Sequence, residues 1–195
     1  MIPRNSSSAP DADSLYEAAV KALARRARSS GELRQYLLKR HATKTQIEAV
    51  LKRLRENGYL DDTRFARAFA ASRLQNDLHG PARVSRDLAA RRVHPEIARA
   101  ALDAAYEGID EGELLRRYLR RKVGRSRLPG KPSAVATLYR RLLRAGFRSA
   151  TIVRELRRLL PEPLSKGRVP LEAVCWEELL ESLTDSSESE SEPRP

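Results

Sequence analysis

Three histidines and one cysteine are the side chains best suited to hold a metal or act as a nucleophile. His41, His79 and His94 each stand apart from any Cys, Asp or Glu at metal-ligand spacing, and Cys175 has no basic activator nearby in sequence. Asp61-Asp62 and Asp110-Glu111 are the adjacent carboxylate pairs of the basic body. A nuclease can use such a pair to hold a divalent cation, but helix capping explains both more simply. No glycine-rich loop suited to cradling phosphate occurs, so nucleotide hydrolysis is not expected. The chain therefore reads as a non-enzyme without metal or cofactor.

The cations are more informative. They cluster as Arg25, Arg26 and Arg28; Arg83, Arg86, Arg91 and Arg92; Arg116, Arg117, Arg120, Arg121 and Lys122, with Arg125 just beyond; and Arg140, Arg141 and Arg144. Residues three and four apart share a helix face, so Arg116 with Arg120, or Arg117 with Arg121, is expected to form a charged stripe beside the apolar Leu115 and Leu119. From Glu111 to Leu160 there are 15 Lys or Arg against three Glu, which makes this stretch the strongest candidate for a polyanion. A merely solvated helix face is the bland alternative, and it weighs more for Arg25–Arg28. Tyr36, Tyr59, Tyr106, Tyr118 and Tyr139 can in principle stack on unpaired bases, but most lie on apolar stripes and read as core.

Net charge sharpens this picture. Residues 171–195 hold eight acidic residues against Arg194 alone, a charge of −7, so the preceding 170 residues carry +19 of the overall +12. A field of that sign attracts nucleic acid first. One cysteine excludes a disulfide scaffold and suits a reducing cytoplasm. Neither an export signal nor a membrane-spanning apolar run is read from the sequence.

Positioning these residues is the work of helices. Ser14 and Glu17 have capping-box spacing before Leu15, Ala19, Ala22 and Leu23, which predicts a helix over about Leu15–Arg28. Ser29 with Glu32, and Thr43 with Gln46, repeat that spacing before Leu33, Tyr36 and Leu37 and before Ile47, Val50, Leu51 and Leu54; Asn57-Gly58 stops the third helix. The plan recurs: Asp61 or Asp62 caps a helix bearing Phe65 and Phe69, and Pro81 and Pro95 begin the next two, where a missing amide hydrogen costs nothing. Asp110 with Glu113 then opens a helix with Leu114, Leu115, Tyr118 and Leu119, followed by Val135, Leu138 and Leu142 and by Ile152, Val153, Leu156 and Leu159.

Superposing Leu37, Leu88 and Leu142 also aligns Leu33 with Val84 and Leu138, and Ala42 with Val93 and Phe147. A period of roughly 50 residues marks a repeat architecture. The expected fold is all-α: three tandem three-helix repeats (14–60, 61–109, 110–160) stacked into an elongated, curved body, with joints near residues 59–62 and 107–110. Disordered tails are expected at 1–13 and 184–195, a loop after Val123, and a Pro-containing linker with a candidate acidic helix at 161–183.

Read in order, Ser29-Ser30-Gly31-Glu32-Leu33 with Leu37 and Arg40, then Leu54, Asn57-Gly58-Tyr59-Leu60-Asp61-Asp62, Phe65-Ala66 and Phe69, and finally Leu142, Arg144, Ala145, Gly146 and Phe147, resemble the RecX family. The likeness covers about residues 14–160, and the Gly-Tyr-Leu-Asp-Asp-x-x-Phe-Ala run is its most specific part. It implies a monomeric modulator that lies in the groove of the RecA recombinase filament. There it would touch protomers and single-stranded DNA, and restrain filament extension, ATP hydrolysis and strand exchange in recombination and repair. Binding residues carry over only as a class, the basic residues of the repeats.

Two features depart from the family. His41 and Arg92 stand where Gly146 stands in the third repeat, and the acidic segment after Pro170 is either an inert solubilising tail or a competitor folded onto the basic body. Rival readings are a helix-turn-helix regulator and a general nucleic-acid-coating protein; a nuclease is a third. The stacked-repeat reading predicts that small-angle scattering of residues 14–160 gives a radius of gyration above the roughly 15 Å of a compact chain of that length. A compact value would reject the stacking.

Overall fold

The computed structural model describes residues 11–124 and 132–159. Within them lie nine α-helices: α1 (Ala12–Arg25), α2 (Ser30–Leu38), α3 (Lys44–Glu56), α4 (Asp62–Ser72), α5 (Pro81–Ala90), α6 (Pro95–Tyr106), α7 (Glu111–Tyr118), α8 (Pro132–Arg144) and α9 (Ser149–Leu159). No strand occurs among the described residues. The expected N-terminal tail (apart from 11–13), the post-Val123 loop (apart from Gly124), Arg125, the 161–183 segment and the acidic tail lie outside them.

The helices form two compact units: residues up to 77 with 81–108, and residues 78–80 with those from 109 onward. In the first unit, Leu15, Ala19, Leu33, Leu37, Ile47, Leu51 and Leu54 fill a core among α1, α2 and α3. A second core there is built largely of small residues, Ala66, Ala70, Ala98 and Ala101 around Val84 and Leu88, with Phe65 and Phe69 packed at its edge. Alanines let α4 and α6 approach closely where leucines would hold them apart. In the second unit Leu114, Leu115, Tyr139, Leu142, Ile152 and Leu156 are buried, and the Tyr118 ring meets Phe147 edge-on at 5.5 Å.

Local signals explain most helix ends. The capping boxes of Ser29 with Glu32 and of Thr43 with Gln46 both form reciprocally. Of the two candidate aspartates before α4, Asp61 caps by accepting the Arg64 amide at 2.9 Å. Asp62 instead accepts the Ser30 amide at 2.7 Å and the Ser30 hydroxyl, tying α4 to the start of α2.

Two expectations are corrected. The first helix starts and ends three residues early: Asp11 occupies the cap position and Ser14 lies inside α1. A side-chain cap needs an extended backbone at the capping residue, which Ser14 in mid-helix lacks, so no box forms with Glu17. Asp110 does cap α7, but through the Gly112 amide at 2.8 Å, while the Glu113 carboxylate lies 3.8 Å from Arg116.

The sequence also gave no sign of two five-residue π-helical turns, Arg73–Asp77 after α4 and Leu119–Val123 after α7. The second closes with the Gly124 amide donating to Leu119 O, five residues back, at 3.0 Å.

The second helix of every repeat ends in the same way. His41, Arg92 and Gly146 adopt φ of 60°, 57° and 95°, the left-handed region. Each is followed by a buried apolar residue, Ala42, Val93 or Phe147, whose amide donates to the carbonyl of Leu37, Leu88 or Leu142 at 3.1–3.3 Å. The amides of His41, Arg92 and Gly146 donate to Leu38, Ala89 and Leu143. This is the paired Schellman arrangement, which satisfies carbonyls left over at a helix C-terminus.

A left-handed backbone strains any residue with a Cβ. Replacing Arg92 by glycine is therefore expected to raise the stability of the first unit by about 1 kcal/mol in urea melts. Gly31→Ala should lower it by about 1–3 kcal/mol, because a Cβ there would stand 2.4 Å from the Arg92 carbonyl oxygen.

Candidate nucleic-acid interface

Of the sixteen predicted basic residues Arg125 lies outside the described residues, and the other fifteen divide into those the fold consumes and those it leaves facing water. At the start of α2, Arg26 forks onto Glu32 at 3.0 and 3.3 Å, and Arg91 reaches the same carboxylate at 3.5 Å. The Arg91 guanidinium also lies 4.8 Å from the centroid of the Phe69 ring, and its carbonyl accepts the Ser29 hydroxyl. Arg26 ties the end of α1 to α2, and Arg91 holds α2 against the second repeat. Partial burial by itself would raise the Glu32 carboxyl. The Arg26 hydrogen bond, the Ser29 amide and the charges of Arg26 and Arg91 outweigh it and hold the group below its ordinary range.

In the second unit Glu155 is buried, 1% exposed, and carries three arginines: Arg116 at 2.8 Å, Arg154 at 3.4 Å and Arg158 at 3.7 Å. The hydrogen bond to Glu155 is the main reason the Arg116 guanidinium is pushed above its ordinary range. Glycine at 112 makes room, since a Cβ would stand 2.9 Å from Glu155 Oε1. Glu111 is likewise engaged, accepting the Arg148 amide at 2.8 Å and the Thr151 hydroxyl at 2.9 Å. Both carboxylate pairs weighed for metal chemistry thus include groups spent on capping and on joining helices. Among the described residues no three of His, Cys, Asp and Glu gather as a metal site. His94 accepts the Glu96 amide at 3.4 Å to cap α6.

Of the two pairs expected to form a charged stripe, Arg116 of the first turns toward Glu155 while Arg120 is exposed, and Arg117 and Arg121 of the second are both exposed. Arg83 pairs with Asp87 at 3.1 Å, Arg141 donates to the Lys122 carbonyl at 3.1 Å, and Arg140 approaches the Ala136 carbonyl at 3.5 Å. Arg28 donates from Nε to the Ala22 carbonyl at 3.2 Å. Arg86, Arg121 and Arg144 are exposed. Arg25, Arg92, Arg117, Arg120 and Lys122 are exposed too, and none has a carboxylate within ion-pair distance among the described residues. Arg148, Arg154 and Arg158 stand outside the predicted set, as does Arg40, which enters only through the family resemblance; the i, i+4 spacing of Arg154 and Arg158 on α9 is the signal available for two of them.

Of the tyrosines, Tyr118 and Tyr139 are buried and Tyr36 and Tyr106 half-buried, while Tyr59 is 55% exposed. Burial pushes the Tyr106 hydroxyl up to about 12.

Residues 16–54 match the RecX first three-helix domain and residues 61–102 the RecX second three-helix domain. Regulatory protein RecX of Treponema pallidum (strain Nichols) is 37% identical over 142 residues, 71% of this chain and 82% of that protein. Regulatory protein RecX of Halalkalibacterium halodurans is 32% identical over 138 residues, 70% of this chain but 51% of that protein, so the chain spans about half of this longer relative. The crystal structure of RecX from Lactobacillus salivarius superposes with a TM-score of 0.62 at 17% identity, covering 76% of this chain and 96% of that one.

Because the folded-state carboxyl of Glu32 is lowered, its stabilisation is present above the ordinary value of 4.5 and is lost as pH falls through the lower folded value. Glu32→Gln should therefore destabilise the first unit at pH 7 by about 1–2 kcal/mol. The gap to the parent should close only in acid, as followed by urea melts between pH 7 and pH 3. A gap independent of pH would contradict this.

Proposed function

The chain belongs to the RecX family of regulatory proteins, and from that premise we propose that it limits the activity of the RecA recombinase, acting in the cytoplasm as a monomer on the RecA–DNA filament. In this reading it lies in the filament groove, touches single-stranded DNA within it, and slows filament extension, ATP hydrolysis and strand exchange. It performs no chemistry of its own.

The observation that carries the reading is the uneven fate of charge in the third repeat. Of its three glutamates, Glu155 is buried and Glu111 is largely so, while Glu113 and the capping Asp110 stay exposed beside Arg116. The negative charge of Glu155 and Glu111 is withdrawn inward, where Glu155 neutralises arginines of α7 and α9. Arg117, Arg120 and Lys122 keep their charge at the surface without a carboxylate partner among the described residues. A polyanion bound there releases its counterions without displacing an internal ion pair.

Added to preformed RecA filaments on single-stranded DNA, the protein should depress ATP hydrolysis and shorten the filaments at stoichiometric amounts or below. Arg117→Gln with Arg120→Gln should weaken the effect by about tenfold at fixed salt, while Glu155-paired Arg116 should affect stability instead. No change in hydrolysis or filament length at stoichiometric protein would defeat the reading.

A further inference from the structure

Three arginine–aromatic clusters occur in the first unit, and they differ in one respect. Arg53 lies 4.0 Å from the centroid of Tyr16 and is ion-paired with Asp13 at 2.7 Å. Arg73 and Arg91 each lie 4.8 Å from the centroid of Phe69; Arg73 is paired with Asp77 at 2.7 Å and Arg91 with Glu32 at 3.5 Å. Arg28 and Arg40 lie 5.5 and 4.6 Å from the centroid of Tyr36, and neither has a carboxylate within ion-pair distance among the described residues. Wherever else a ring gathers arginines here, an internal acid supplies the counter-charge. At Tyr36 it is missing.

The fold holds this cluster in place. Arg28 donates from Nε to the Ala22 carbonyl of α1 at 3.2 Å, and the Tyr36 hydroxyl points to the Ala18 carbonyl at 3.5 Å, one helical turn earlier on the same face. Arg40 donates from a terminal nitrogen to the Tyr36 hydroxyl at 2.7 Å. A guanidinium has five N–H donors, so both arginines retain donors for an outside anion after these bonds. Exposed Arg25 lies three residues beyond Ala22 on α1, also without an ion pair among the described residues. Two guanidiniums held beside one ring without an internal counter-ion are pre-organised, so an anion that binds either one meets a cation already fixed in place.

We propose that Arg28, Tyr36 and Arg40, with Arg25 at the rim, form a phosphodiester-binding subsite for single-stranded nucleic acid in the first repeat. The subsite rests on the nucleic-acid part of the function above and adds a second point of contact, separate from the third repeat. A phosphodiester fits better than an isolated carboxylate, because successive phosphates of one strand can engage Arg28/Arg40 and Arg25 in turn, and the edge of Tyr36 offers an apolar surface to a sugar or base.

The test uses the full chain and a fluorescein-labelled oligothymidylate with no recombinase present, so its result does not depend on the filament reading. Anisotropy titrations across a salt series should show Arg40→Gln weakening binding by about threefold to tenfold and lowering the slope of log K against log salt by about 0.7, one phosphate's share on a single strand. Arg28→Gln combined with Arg40→Gln should lower both further. Arg40→Lys should recover most of the slope, because it retains the charge. Arg53→Gln, at the internally neutralised Tyr16 cluster, should leave affinity and slope unchanged. Arg40 is exposed and its hydrogen bond and ring contact are both with Tyr36, so its variants keep the test valid even if Arg28→Gln unfolds, as circular dichroism would reveal. Unchanged affinity and slope in folded Arg40→Gln would overturn the subsite. So would Arg40-dependent binding of polyglutamate without Arg40-dependent binding of the oligonucleotide, which would assign the cluster to an acidic protein segment.

Discussion

A helix that ends inside a packed protein must dispose of its last carbonyls, and the way α2, α5 and α8 do so governs much else in this molecule. Each reverses through a left-handed residue so that the following buried amide reaches back to Leu37, Leu88 or Leu142. The reversal turns the carbonyl just before it, that of Arg91 or Ala145, outward from its own helix. Arg91 O then accepts the Ser29 hydroxyl, and Ala145 O accepts the Gly80 amide at 2.9 Å. Ser29 and Gly80 fall at the same position when Leu37 and Leu88 are superposed. One backbone device therefore closes a helix and offers an acceptor to a residue remote in sequence. It also dictates composition nearby: Gly31 and Gly80 have backbone where a Cβ would go, at 2.4 Å from Arg92 O and 2.2 Å from Gly146 O.

Once that joint is fixed, the charged residues around it take structural roles. Ser29 caps α2, Glu32 completes the cap, and the Glu32 carboxylate collects Arg26 and Arg91. Asp62, released from capping by Asp61, holds the Ser30 amide and hydroxyl. A carboxylate serving backbone amides and guanidiniums together is stabilised far more than an exposed ion pair, since each partner is held by packing before the charge arrives. Arg91, which on composition alone belongs with the polyanion-binding cations, is thereby committed to the first unit's interior order.

How far the sequence showed this depends on the kind of signal. The superposition of Leu37, Leu88 and Leu142 was legible because each leucine occupies a position that only a 0%-exposed residue can fill, and burial imposes a periodicity. Ser29 and Thr43 were legible as caps because Glu32 and Gln46 stand three residues on and an apolar stripe follows each. Ser14 was misread because its spacing to Glu17 is equally compatible with two residues inside a helix, and only the backbone at Asp11 decides. The π turns left no trace, since a five-residue return such as Gly124 to Leu119 has no residue preference to announce it. Among candidate site residues, Arg116 and Arg117 are chemically identical neighbours. What separates them is Glu155, 39 residues from Arg116, which the fold brings to Arg116 and not to Arg117, so no local pattern could have sorted them.

This sorting explains why arginine, at 31 residues against seven lysines, carries nearly all the positive charge. A lysine at position 91 could pair with Glu32 but could not also lay a planar cation over Phe69. At position 28 it could not donate sideways to Ala22 O while facing Tyr36. The guanidinium lets one side chain brace the fold with one edge and present charge with another. The +19 of the first 170 residues is therefore not a uniform field. That sum counts every carboxylate alike, whereas among the described residues several carboxylates are drawn to the joints and the buried helix contacts. The surface charge left available to a polyanion is set as much by where Glu32, Asp62, Glu111 and Glu155 are hidden as by where the arginines stand.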